Sequence, residues 1–256
     1  MTRLPAAFLR APLAHRAYHD IAAGRPENSR AAVRAAIRAR YGIELDVQPS
    51  ADGLAMVFHD EDLRRLTGKD GAIRAHRAED LHAIRLLGGD EGIPTLSEIL
   101  ALVAGRVPLL IEIKDQDGRL GPNVGPLERA VAADLAGYRG DAALMSFNPH
   151  SVTALAGLAP DRPRGLTTGG FDLRAWPLLP GATRRRLRAI TDYDATGAVF
   201  ISHQANDLGR PRVAALKAQG AAVLCWTIRT PQAEAKARKL ADNITFEGYA
   251  AHIPGA

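Results

Sequence analysis

The sequence predicts an α/β fold: a (β/α)8 barrel with a small insertion, containing a β-hairpin, after the second strand. Three observations predict it. Short runs rich in Val, Ile and Leu alternate with alanine-rich helical stretches, the pattern of parallel strands joined by helical crossovers. Eight such units fit into 256 residues, a usual length for a barrel of this type. Successive strand candidates stand about 20 to 35 residues apart, as a helix with its two loops requires.

Taken in order, the strand candidates run from Pro12 to His15, Ile43 to Val47, Leu109 to Ile113 and Ala142 to Ser146. They continue from Arg164 to Thr168, Ala198 to Ser202, Ala222 to Thr227 and Asn243 to Phe246. Helices are expected from Arg30 to Arg40, capped by Asn28-Ser29, and then from Leu96 to Ala104 and Val124 to Gly137. Three more begin at proline: Pro149 to Leu158, Pro211 to Gln219 and Pro231 to Leu240. No linker and no repeat interrupts the series, so one domain over 1–256 is expected.

One spacing is too long. Roughly 65 residues separate Ile43 from Leu109, and this marks an insertion at about 48–95. Asp52-Gly53, between two extended runs, is a hairpin turn signal. A turn over Ser50 to Gly53 would set Val47 opposite Met56, Leu45 opposite Phe58 and Glu44 opposite His59.

Composition narrows the possibilities further. Apolar residues make up 46% and charged residues 24%, values of an ordinary globular protein. Apolar runs such as Gly220 to Trp226 fall far short of a membrane span, and the N-terminal stretch, broken by Pro5, is a poor secretory signal. Cys225 is the only cysteine, which excludes a disulfide and fits a reducing, cytoplasmic setting. Net charge is +5 with a pI near 9.6. Its clusters, Arg30, Arg34, Arg38 and Arg184 to Arg188, lack interleaved aromatics, so they read as solvated faces and no nucleic acid is expected.

Against this background, carboxylates inside apolar strands stand out. Glu44 and Asp46 are two apart and share a face, as do Glu112 and Lys114. In a barrel these faces look inward. Three acids in one mouth would repel one another unless a cation joined them, and an all-oxygen set favours Mg²⁺ or Ca²⁺. Arg16 and Lys114 add fixed positive charge suited to a phosphate. His15 and His59, near the same mouth, could divide proton transfers as base and acid. The other histidines, such as His19 and His203, read as core or turn residues.

These residues belong to an ordered set. His15-Arg16, Pro26-Glu27-Asn28-Ser29, Glu44-Leu45-Asp46, Ser50-Ala51-Asp52-Gly53 and Phe58-His59-Asp60 are followed by Ile93-Pro94-Thr95-Leu96, Ile111-Glu112-Ile113-Lys114, Ser146-Phe147 and Cys225-Trp226-Thr227. Together they resemble the glycerophosphodiester phosphodiesterases over nearly the whole chain. The resemblance implies a (β/α)8 barrel, a divalent metal, and hydrolysis of glycerophosphodiesters to sn-glycerol 3-phosphate and an alcohol. It implies metal ligation by Glu44, Asp46 and Glu112, acid–base work by His15 and His59, and phosphate binding by Arg16 and Lys114. It further implies a supporting role for Glu27 and a place for Trp226 in the glycerol pocket.

Two departures accompany the likeness. Ala17 stands where the family usually has glycine, and near the last strand Phe246 or Glu247 replaces an expected acid. Two other functions are consistent with the chain. One is a phospholipase D-like hydrolase acting on lysophospholipids at a membrane surface, for which Trp176-Pro177-Leu178-Leu179-Pro180 is the candidate apolar rim. The other is a catalytically silent metal- or phosphate-binding protein, against which the complete set of acids and histidines argues.

Overall fold

A computed structural model describes residues 3–254, so positions 1–2 and 255–256 of the expected 1–256 domain lie outside the described residues. The strands are β1 (Leu13–Ala14), β2 (Gly42–Pro49), β3 (Ala55–Val57), β4 (Leu109–Ile113) and β5 (Ala142–Ser146). They continue as β6 (Arg164–Thr168), β7 (Phe200–Gln204), β8 (Ala222–Ile228) and β9 (Asn243–Phe246). All but β3 run parallel, and pairing of β1 with both β2 and β9 closes the eight into a barrel. The fold is the predicted (β/α)8 barrel.

The period-two alternation of each strand builds two layers. Ile43, Leu45 and Val47 on β2, with Leu109, Ile111 and Ile113 on β4, face the surrounding helices. Leu13, Leu110, Met145, Phe200 and Leu224 face inward and pack with Phe8 of the N-terminal helical turn Ala7–Arg10, which stops the bottom of the barrel. The inward positions two residues further on are His15, Glu112, Ser202 and Trp226, all of which line the mouth. Three of these strands therefore change from oil to polar groups as they rise, while β5 and β8 lead to the aromatic Phe147 and Trp226. Gly165 is required here because a Cβ on it would stand 2.4 Å from the Phe200 ring.

Helix starts follow local chemistry. Ser29 Oγ accepts from Ala32 N–H at the head of Arg30–Arg38, and Thr95 with Glu98 forms a capping box on Leu96–Val103. The helix Gly181–Ala189 was not anticipated, because its arginine-rich stretch has only Leu187 buried and therefore almost no apolar period.

The hairpin needs a correction. Val47 pairs with Val57, Gln48 with Met56 and Pro49 with Ala55, one residue off the expected register. The reason lies in the turn: Ser50 N–H donates to Leu54 O at 2.9 Å, and Ser50 Oγ accepts from Leu54 N–H at 2.9 Å. Ala51 to Gly53 thus form a three-residue loop, with Gly53 left-handed at φ +83°. In this register His59, just past β3, falls level with Leu45 rather than Glu44. Beyond the hairpin, residues Met56, Phe58, Leu63, Ile73, Leu81 and Ile93 form a small hydrophobic cluster of their own.

Candidate active site

The mouth lies at the C-terminal ends of the strands, where a barrel collects its functional loops. Glu44 and Asp46 on β2 and Glu112 on β4 are all buried, and each offers an oxygen lying within 4.8 Å of those of the other two. Parallel pairing sets Asp46 directly beside Glu112. Lys114 Nζ bridges them, 3.1 Å from Asp46 and 2.8 Å from Glu112. Asn28 Nδ2 donates to Asp46 at 3.1 Å.

Electrostatics in this cluster are unequal. Burial pushes the Glu44 carboxyl well above its usual range, and the neighbouring Asp46 and Glu112 push it further. Burial acts the same way on Asp46, yet Lys114, His59 and Arg16 outweigh it and hold that carboxyl low. Lys114 is held above its ordinary value by the same two acids, against burial. One carboxylate thus lacks compensation. A set of three hard oxygen donors carrying more negative charge than Lys114 and Arg16 neutralise is compatible with a divalent metal ion.

Both sequence-predicted histidines line this cavity of about 160 Å³, together with Arg16 and Trp226. His15 Nε2 is 4.0 Å from Glu44, while its Nδ1 contacts Glu247 at the end of β9. His59 Nδ1 bonds Asp60 at 2.6 Å. A carboxylate can only accept, so each imidazole carries a proton on Nδ1 and turns Nε2 to the mouth, where it can accept a proton or, as imidazolium, give one. Burial lowers the His15 pKa, in part offset by Glu247.

Arg16 is tied down from three sides. Its guanidinium donates to Glu27 at 2.8 Å and lies 3.7 Å from Asp46, and its backbone N–H donates to Glu44 at 3.0 Å. Arg16 and Ala17 both hold left-handed backbone, at φ +51° and +63°, a conformation that costs a side-chain-bearing residue about 1–2 kcal/mol. Glycine would adopt it freely, so the family's usual choice at position 17 has a physical basis.

Four residues of this site gain roles that the sequence alone does not assign. Arg65 donates to both Glu27 and Asp60 at 2.6–2.9 Å, so it joins the supports of Arg16 and His59. The sequence offers Phe246 and Glu247 as alternatives at the end of the last strand. Phe246 is buried among Tyr18, Tyr41 and Tyr249, which leaves Glu247 as the acid facing the mouth. Asn28, a helix cap and part of the Pro26 to Ser29 motif in the sequence, also donates to Asp46. Phe147 stacks edge-on against Trp226, 5.5 Å between centroids, and forms a shared wall.

That wall divides the mouth from a second, larger cleft of about 720 Å³. Trp176, Pro177, Leu178 and Leu120 give it an apolar side; Asp60, Glu61 and Asp62 give it an acidic lip. His59, Glu112, Lys114 and Trp226 border both spaces.

Comparison with known proteins places the chain in a family and its fold among solved structures. The sequence model of the glycerophosphoryl diester phosphodiesterase family matches residues 15–244. YhdW of Bacillus subtilis, which carries a glycerophosphodiester phosphodiesterase name, is 26% identical over 235 residues, 88% of each chain. The glycerophosphodiester phosphodiesterase of Bacillus altitudinis is 38% identical over 96 residues, 35% of this chain and 39% of that one. Among solved structures, a phosphodiesterase of Oleispira antarctica in complex with the product sn-glycerol-3-phosphate shares the fold, with a TM-score of 0.77 at 24% identity and 95% of each chain covered. The Thermotoga maritima glycerophosphodiester phosphodiesterase superposes with a TM-score of 0.70 at 21% identity, covering 92% of this chain and 94% of that one. With the family model spanning most of its length, the chain belongs to the glycerophosphoryl diester phosphodiesterase family of phosphoric diester hydrolases.

Proposed function

We propose that the mouth hydrolyses glycerophosphodiesters to sn-glycerol 3-phosphate and an alcohol, with His15 and His59 dividing the proton transfers. The whole chain acts in this reading as one catalytic unit, the insertion at about 48–95 supplying His59. The observation that carries the reading is the pair of Nε2 atoms turned to the mouth, each set by a carboxylate on Nδ1, beside one cluster of three buried acids.

Glu44, Asp46 and Glu112 would hold a divalent cation, Mg²⁺ or Ca²⁺. When bound, that ion supplies Lewis-acid relief of charge growing on the phosphoryl oxygens. Arg16 and Lys114 hold the phosphate, the first as a fork and the second as a point charge. Glu27 fixes Arg16 in its orientation. Trp226 packs against the glycerol end.

His15, whose burial favours neutral imidazole, accepts the proton of the attacking hydroxyl at Nε2. His59 borders the larger cleft, where the departing alcohol has room, and enters the step as imidazolium, keeping Nδ1–H on Asp60 and giving its Nε2 proton to the leaving alkoxide. The attacking hydroxyl is the substrate's own, next to the phosphate. Water then opens the cyclic phosphate, with the two imidazoles exchanging roles.

The apolar side of the larger cleft favours a second reading, phospholipase D-like cleavage of lysophospholipids, whose glycerol carries an acyl chain while the headgroup alcohol departs. Assay of glycerophosphocholine against lysophosphatidylcholine, with and without chelator, separates the two. His15→Ala and His59→Ala should each lower kcat by about 10²–10⁴-fold on the preferred substrate. Full activity in either variant would remove the acid–base assignment, and turnover insensitive to chelator would remove the metal.

A further inference from the structure

The loop between β6 and the helix Gly181–Ala189 is unlike the rest of the rim. Leu178 is 84% exposed and Leu173 is 59% exposed, and neither has a packing reason to be apolar. The loop is not loose, because Phe171, Trp176 and Leu179 anchor it in a cluster with Phe147 and Leu187. A rigid loop that holds leucines out in water marks a contact surface.

Its charges point to one kind of partner. Arg174 in the loop, Arg185 on the helix that follows and Arg119 on the loop after β4 are all exposed. None of the three forms an ion pair among the described residues, whereas Arg186 is spent on Asp192 and Arg184 donates to Leu179 O. Asp172, the acid within the loop, accepts from Ala175 N–H. Of the acids of the cleft, Asp60, Glu61 and Asp62 stand on its other lip, and Asp115, on the loop of Arg119, accepts from the N–H groups of Asp117, Gly118 and Leu120. Apolar side chains amid unpaired arginines on one lip match a surface that is anionic outside and apolar just beneath.

We propose that residues 171–185, with Arg119, form a docking surface for an anionic lipid bilayer, beside the opening of the larger cleft. Leu173 and Leu178 enter the boundary between headgroups and acyl chains, while Arg119, Arg174 and Arg185 engage lipid phosphates. Trp176, half-buried at the base of the loop, has the amphipathic ring favoured at that depth. The surface is separate from the acid cluster and adds a location to the activity proposed above.

Flotation with vesicles of about equal phosphatidylglycerol and phosphatidylcholine, against vesicles of phosphatidylcholine alone, tests this. The protein should partition onto the anionic vesicles roughly tenfold more strongly, and several-fold less as salt is raised. The variant Leu173→Asp/Arg174→Glu/Arg185→Glu, whose residues do not border the cleft, should lose roughly tenfold of that binding and keep glycerophosphocholine turnover within about twofold. Arg174→Glu/Arg185→Glu, which changes no apolar residue, should lose the salt-sensitive part and serves if the triple variant does not fold. No binding to anionic vesicles, or undiminished binding by both variants, overturns the proposal. Self-association abolished by Leu173→Asp, without vesicle binding, would assign the surface to a second copy and also overturn it. Binding is measured without turnover, so an inactive protein that still floats would defeat the hydrolase reading alone.

Discussion

Glu247 closes onto Nδ1 of His15 from the end of the last strand, 232 residues along the chain. Burial alone would raise this acid, but contacts with His15 and His19 and the charge of Arg229 outweigh it and hold the carboxyl well below its usual range. It stays an anion across the working pH range, so it always accepts and always orients the imidazole. Glu247→Gln keeps the shape and removes the charge. A 10–100-fold fall in kcat, of the size found for groups that orient ligands from behind, is expected in steady-state assays with little change in KM. An unaltered kcat would free His15 from this partner.

Arg65 makes a comparable claim on the other histidine. It is about half exposed, yet it bridges Glu27 and Asp60, the carboxylates behind Arg16 and His59. As an exposed side chain it contributes little to stability. Arg65→Ala should therefore lower kcat/KM by about tenfold while shifting the urea midpoint hardly at all. Loss of stability without loss of activity would reverse the assignment.

How much of this was legible depends on the kind of signal. Glu44, Asp46, Glu112 and Lys114 could be found because polar residues at period two inside Leu109–Ile113 and its neighbour have no structural excuse. Four strands matched their expected bounds for the same reason, since buried parallel strands are short and continuously apolar. Glu247 could be noticed only as an alternative to Phe246 where the likeness departs, and Arg65 not at all. Their meaning comes from partners 232 and 38 residues away, and nothing local distinguishes them from other surface charges. The hairpin register failed for a smaller reason: Ser50 side-chain bonding lengthens the turn by one residue, and a single residue moves every pair.

Ala17 stores strain that a single substitution should release. Its φ of +63° is left-handed, and it is held there by its N–H donating to Glu44 O at 2.9 Å. Glycine removes the Cβ clash but adds freedom to the unfolded chain, so Ala17→Gly should stabilise by about 0.5–1 kcal/mol net. Chemical denaturation would show a higher midpoint at unchanged slope. Destabilisation instead would mean that the buried Ala17 methyl packs for more than its backbone costs.

The raised Glu44 carboxyl gives metal binding a pH dependence whose sign can be worked out. Without a cation, burial and the charges of Asp46 and Glu112 keep a proton on Glu44 to higher pH than an ordinary glutamate would hold it. A cation competes with that proton, and a ligand must be deprotonated to bind. Below the raised pKa, affinity should therefore rise by up to about tenfold per pH unit, flattening once Glu44 is already ionised. Calorimetric titration with Mg²⁺ or Ca²⁺ in two buffers of different ionisation enthalpy should show net proton release at the acid end and none at the alkaline end. Glu44→Gln should abolish the release and weaken binding together. Proton release that persists in that variant would move the titrating group to another residue of the mouth.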